Sequence, residues 1–215
     1  MTAAVLFDLD GTFADTAPDL GRAVNAMRAA RGLPPVPLAD TRRVTSLGAR
    51  GLLGVGFNIT PDHADYPVMR EEFLRIYENN LCCDTVLFPG IADLVDRIED
   101  LGIPWGIVTN KAERFALPLL QQLGYGKRAA CIIGGDTTPH MKPHPAPLLA
   151  AAKAVGCAPE QCLYVGDDER DIQAGRAAGM RTVAVRFGYL NGSNPDAWDA
   201  DGVVDSPAEI LHIIN

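Results

Sequence analysis

A chain of 215 residues, 47% hydrophobic and 21% charged, is long enough for one substantial core with a smaller unit beside it, and too apolar to be disordered throughout. A net charge of −8 and a pI near 4.9 leave no basic face, which excludes nucleic acid and anionic membrane surfaces as natural partners. Cys82, Cys83, Cys131, Cys157 and Cys162 lack paired zinc-site spacing, no stretch approaches about 18 to 20 apolar residues, and no signal-type run precedes the first strand, so a cytoplasmic protein with reduced thiols is expected.

In chain order, Ala3 to Leu9 reads as a buried strand. Residues from about Asp15 to Asp84 then carry helical patterns, Asp19 to Arg31, Leu38 to Leu53 and Tyr66 to Asn80, with no convincing buried strand. Gly32-Leu-Pro-Pro-Val-Pro and Ile59-Thr-Pro-Asp punctuate them, and Phe88-Pro-Gly90 marks the return. Beyond it, helical spacing over Ile91 to Leu101, Arg114 to Leu123, Pro147 to Val155 and Asp171 to Ala178 alternates with apolar runs at Trp105 to Thr109, Ala130 to Ile133, Leu163 to Gly166 and Thr182 to Val185. Short buried strands separated by helices predict an α/β core, a doubly wound Rossmann-like parallel sheet covered on both faces. The expected organisation is a core of residues 1–14 and 86–215 with an inserted all-helical unit over 15–85.

Four segments carry chemistry. Asp8-Leu-Asp10-Gly-Thr12 directly follows the first apolar run, so two carboxylates meet at a strand end, where open α/β sheets bind ligands, and Gly11 permits a sharp turn. Thr109-Asn110-Lys111 follows a second run and opens a helix; Thr109 and neighbouring amides can bind phosphate oxygens, or Thr109 and Asn110 can be ordinary caps. Lys142 stands in a proline-held loop where a fixed ammonium can neutralise phosphate, although an isolated lysine is ordinarily solvated; His140 and His144 flank it without the acidic or thiolate company of a metal site. Finally, Gly166-Asp167-Asp168-Glu-Arg-Asp171 ends a buried strand in a self-repelling carboxylate cluster. Oxygen donors without soft ligands select a hard ion such as Mg2+. Asp167, nearest the strand end, is the first choice of ligand, with Asp168 and Asp171 acting through water or by orienting other groups, or with Asp171 as a helix cap.

Taken in order, Asp8-x-Asp10-x-Thr12, Thr109, Lys142 and Asp167-Asp168-x-x-Asp171 resemble the four motifs of the haloacid dehalogenase superfamily of phosphatases. The resemblance spans the chain. It implies that Asp8 attacks phosphorus, that Asp10 serves as acid and base, and that Mg2+ is held by Asp8, the Asp10 carbonyl and Asp167. It also implies that the helical unit is a cap that chooses the leaving group, with Gly48 and Arg50 near the substrate. Arg50 then meets a carboxylate or sugar oxygen, unless it is a plain surface arginine. Within the superfamily the chain is similar to phosphoglycolate phosphatases and still closer in style to bacterial N-acetylmuramic acid 6-phosphate phosphatases, the latter through Trp105 to Lys111, Arg114 to Pro118, Gln121 to Gly124 and Val165 to Ile172. Phe13-Ala14 departs from the usual Leu-Val or Leu-Leu after the first motif, and Gly134-Gly-Asp136 has no derived role. The expected partner is a small phosphate ester and the expected state a monomer or homodimer. A phosphomutase is the alternative within the family, and a phosphoacceptor signalling domain the alternative outside it.

Overall fold

The computed structural model describes residues 2–214. Strand β1 (Ala4–Phe7) is fully buried and runs into the Asp8–Phe13 loop, after which β2 (Ala14–Asp15) leads into four helices: α1 (Ala17–Ala29), α2 (Leu38–Arg43), α3 (Gly48–Phe57) and α4 (Tyr66–Asn79). The chain returns through β3 (Val86–Leu87), which pairs antiparallel with β2, Ala14 opposite Leu87. Alternation then follows: α5 (Ile91–Asp100), β4 (Trp105–Val108), α6 (Glu113–Gln122), β5 (Cys131–Ile133), α7 (Ala146–Val155), β6 (Cys162–Gly166), α8 (Glu169–Ala177), β7 (Arg181–Val185), β8 (Gly202–Val204) and α9 (Pro207–Ile214).

The main sheet has six strands in the order β5-β4-β1-β6-β7-β8, every neighbouring pair parallel. Successive side chains of a strand face opposite ways, and β1 obeys this strictly. Val5 and Phe7 enter the larger core cluster with residues of α1, α3, α4, α5, α6 and α9, while Ala4 and Leu6 enter a second one with α7 and α8. Both faces are therefore covered, as a parallel sheet requires. After β1 the chain builds one wing of the sheet, β4 and β5, then crosses to build the other. The resulting switch point lies beside β1, and ligands of open α/β sheets bind at the carboxyl ends there. Register finishes the alignment: Phe7 is level with Ile107 and Val165, so Asp8, Thr109 and Asp167 all lie just past the same edge.

Three differences from the sequence reading have local causes. The run Leu38 to Leu53 is not one helix: α2 stops at Arg43, a 3-10 turn covers Thr45–Leu47, and Gly48 then takes φ 60° and ψ −149°, a conformation open in practice only to glycine, to start α3, which continues to Phe57 and ends at left-handed Asn58. The β2–β3 pair and β8 are two and three residues long, too short for a periodic signal. Helix α8 starts at Glu169 because Asp168 and Asp171 form a reciprocal capping box. Among the described residues no helix is long and apolar enough to cross a membrane, and all five cysteines are free thiols.

Candidate active site

Asp8 is the first residue beyond β1, and its amide donates to the Val165 carbonyl, so the neighbouring strand fixes its backbone. Its Oδ1 accepts from Lys142 Nζ at 2.8 Å. Lys142, 5% exposed, sits deep in the sheet's carboxyl edge, where the same ammonium also reaches the Val108 carbonyl (3.0 Å), the Tyr164 hydroxyl (2.7 Å) and Asp171 Oδ1 (2.7 Å). Such a donor, satisfied on every side, is held as a fixed charge. Asn110 holds the lysine's backbone from both directions, its carboxamide oxygen accepting from Lys142 N and its amide donating to Lys142 O, each at 2.9 Å. What Asn110 has left to offer a ligand is its main chain. Thr109 is buried and accepts from Lys111 N at 3.1 Å, leaving its hydroxyl hydrogen available.

Asp167 follows β6 and is buried; Thr12 Oγ1 donates to its Oδ1 at 2.9 Å and the Tyr189 amide to its Oδ2 at 2.7 Å. Glycine makes this approach possible, since a Cβ on Gly11 or Gly188 would overlap the Asp167 side chain, and Gly11 also holds φ 96°. Oxygens of Asp8, Asp167 and Asp171 lie within 4.8 Å of one another. When ionised, these three buried carboxylates face one buried ammonium, Lys142, and keep an excess of two negative charges. The excess shows in the protonation of Asp8 and Asp167. Burial, then Asp171 and Asp10, push the Asp8 carboxyl up to about 7 against the pull of Lys142. Burial, then Asp8 and Asp171, push Asp167 well above the usual carboxylate range. A hard divalent cation fits this all-oxygen donor set and cancels its excess charge. Asp171 is the most committed of the three, since its Oδ2 caps Asp168 N (3.1 Å) while its Oδ1 meets both Lys142 and the Tyr164 hydroxyl. Asp168 turns away to Arg170, which holds its carboxyl below the usual range despite burial.

Asp10 has a partner that the motifs did not assign. Lys111 Nζ, nearly buried, approaches Asp10 Oδ1 at 2.9 Å and Oδ2 at 3.2 Å, while Thr16 Oγ1 donates to Oδ1 at 2.5 Å. The same ammonium lies 4.7 Å from the ring centroid of Tyr77 on α4, whose buried hydroxyl has no hydrogen-bond partner among the described residues. Gly134-Gly-Asp136 supports this arrangement: Gly135 N donates to the Lys111 carbonyl at 2.8 Å, and Asp136 Oδ1 accepts from Glu113 N at the start of α6. Only Lys111's place in the second motif hinted at this. His140 and His144 stack at 4.2 Å, and His144 Nδ1 accepts from Ala146 N, so the pair serves the loop before α7.

A cavity of about 670 Å3 opens on Asp8, Asp10, Thr109, Asn110 and Lys142 from the sheet side and on Gly48, Arg50 and one face of α4 from the other. Thr12 and Asp167 are not among the residues that line it.

The sequence pattern of the haloacid dehalogenase-like hydrolases matches residues 5–185. A phosphoglycolate phosphatase of Xanthomonas campestris is 50% identical over 208 residues, covering 96% of this chain and 94% of its own. An N-acetylmuramic acid 6-phosphate phosphatase of Pseudomonas aeruginosa is 44% identical over 213 residues, 99% of this chain and 94% of that protein. Among solved structures, a predicted phosphoglycolate phosphatase from Haemophilus somnus superposes with a TM-score of 0.88 at 27% identity, over 100% of this chain and 98% of the other. With the fold, the motifs and the length of these matches in agreement, the chain belongs to the haloacid dehalogenase-like hydrolase family.

Proposed function

We propose that the protein is a Mg2+-dependent phosphatase of small phosphate monoesters, of the 2-phosphoglycolate or N-acetylmuramic acid 6-phosphate type, working through a phosphorylated Asp8. The observation that carries this reading is the meeting of Asp8, Asp10, Thr109 and Lys142 on one cavity, from segments as far apart as the first loop and the loop before α7. Asp8 Oδ1 is held by Lys142, which orients Oδ2 for in-line attack on phosphorus. As the Asp8–phosphorus bond forms, the bond from phosphorus to the ester oxygen breaks, and Asp10, entering this step in its protonated form, gives that oxygen its proton. Asp10 then takes a proton from water as the water's oxygen attacks, releasing phosphate and restoring Asp8. Lys142, the Thr109 hydroxyl and the main-chain amides at Asn110 stabilise the charge that spreads over the phosphoryl oxygens. Mg2+ bound by Asp8, the Asp10 carbonyl and Asp167 would screen phosphate from the carboxylates. Asp171 and Asp168 belong to the supporting layer in this reading, fixing Lys142 and the start of α8.

The division of labour extends to domains. Residues 1–14 and 86–215 form the catalytic core and 15–85 the cap, joined through the β2–β3 pair. A cap supplying half the cavity wall excludes water and selects the leaving group, with Gly48 and Arg50 in its first turn of α3. Asp8→Asn is expected to abolish phosphate release with an unchanged circular dichroism spectrum. Chelation is expected to stop the wild-type enzyme and Mg2+ to restore it. Full turnover by the variant, or by the chelated protein, would falsify the mechanism.

A further inference from the structure

Five carboxylates and six cations line the cavity of a chain whose net charge is −8, so positive charge is concentrated here. Three of those cations are already matched: Lys142 by Asp8 and Asp171, Lys111 by Asp10, and Arg170 by Asp168. Asp136 is spent on the start of α6. Arg50, Arg70 and Arg114 remain. They come from α3, α4 and α6, and among the described residues none has a carboxylate or hydrogen-bond partner; Arg114 lies only over the Phe115 ring, 4.6 Å from its centroid. Elsewhere, arginines such as Arg31, Arg97, Arg128 and Arg186 do have acidic partners.

The α4 part of the lining is also specific in kind. Tyr66, Arg70, Phe73 and Tyr77 recur at helical spacing, so one face of α4 turns a guanidinium and three aromatic rings to the cavity. A cavity of about 670 Å3 lies within the range that encloses ligands of many heavy atoms, and a two-carbon acid phosphate fills little of it. We infer that Arg50, Arg70 and Arg114 form a second anion subsite, which binds a carboxylate on a sugar-sized leaving group while the phosphate occupies the Asp8 end. Planar guanidinium groups suit a carboxylate because they offer paired donors in a fixed fork. The inference rests on the phosphatase reading and narrows its substrate to a carboxylated sugar phosphate.

The test compares kcat/KM for N-acetylmuramic acid 6-phosphate with that for N-acetylglucosamine 6-phosphate, the same sugar without the lactyl ether that carries the carboxylate. The wild-type enzyme is expected to prefer the first by at least about tenfold, the scale of a charge-assisted hydrogen bond. Arg50→Ala, Arg70→Ala and Arg114→Ala should each cut that preference several-fold, whereas Arg97→Ala on α5 should keep it. A wild-type ratio near one, or a ratio that fewer than two of the cavity arginines alter, overturns the subsite. A higher kcat/KM for 2-phosphoglycolate than for the carboxylated sugar overturns the sugar-sized assignment. p-Nitrophenyl phosphate separates the two levels of failure: Asp8-dependent release from it with no sugar preference removes the subsite alone, while no release from any ester removes the phosphatase reading and the subsite with it.

Discussion

Lys142 shows how much of the site depends on single buried polar atoms. The Tyr164 hydroxyl, pressed against Lys142, Asp171 and the Val108 carbonyl, helps to hold the one ammonium among three carboxylates. Tyr164→Phe is expected to cost about 1–2 kcal/mol, seen as a lower urea midpoint with an unchanged slope. The carboxylate excess makes a pH prediction of definite sign. Because the folded Asp8 carboxyl titrates near 7 rather than at its ordinary 3.8, the folded protein without metal binds more protons than the unfolded chain between those values. Its stabilising effect is complete below the unfolded value and is lost as pH rises through about 7; Asp167 acts in the same direction. In chelator, the melting temperature should fall from pH 5 to pH 8, Mg2+ should flatten the fall, and Asp8→Asn should remove part of it. A chelated protein whose melting temperature rises over that window would contradict the account.

At the scale of elements, the departure at Phe13 acquires a reason. Phe13 is fully buried, stacked on Trp105 at 5.4 Å and 16°, and edge-on to Tyr125 at 5.5 Å, so the loop after β1 is pinned to β4 and to the segment after α6. Phe13→Leu keeps an apolar side chain but leaves a void, and an expected loss of about 1–3 kcal/mol should appear in denaturant melts. Proximity in the chain governed what could be read beforehand. Asp8, Thr109 and Asp167 were legible because each directly follows an apolar run, and the strand register then aligns them. The Lys111–Asp10 pair was not, since it joins residues 101 apart that meet only after β4 docks beside β1. Helical spacing marked the segment over 15–85, but periodicity does not register a single glycine turning the backbone, as Gly48 does.

For the whole molecule, the question is how the proposed cap stays on the core. Arg170, on α8, fastens Asp168 on one side and reaches across to the Ser46 carbonyl at 2.7 Å on the other. A second tie runs through Asp15, which accepts both Arg42 of α2, at 2.9 and 2.8 Å, and the Tyr189 hydroxyl at 2.6 Å. Within the 15–85 unit itself, Asp19 of α1 fastens the segment that leads into β3, accepting from Thr85 N at 2.9 Å and Thr85 Oγ1 at 2.7 Å. These ties differ in burial: Asp19 is 1% exposed, whereas the Arg170 side chain retains 33% and the Arg42 side chain 36%. Partly exposed polar ties open at lower free energy than buried ones, so motion should begin at the Arg170–Ser46 edge while the Asp19 junction holds. Arg170→Ala should therefore speed amide exchange across Thr45 to Phe57 and leave β1, β6 and Thr85 protected. Faster exchange at Thr85 would show instead that the junction and the outer edge open as one unit, and unchanged exchange throughout would show that Arg170 does not fasten the cap.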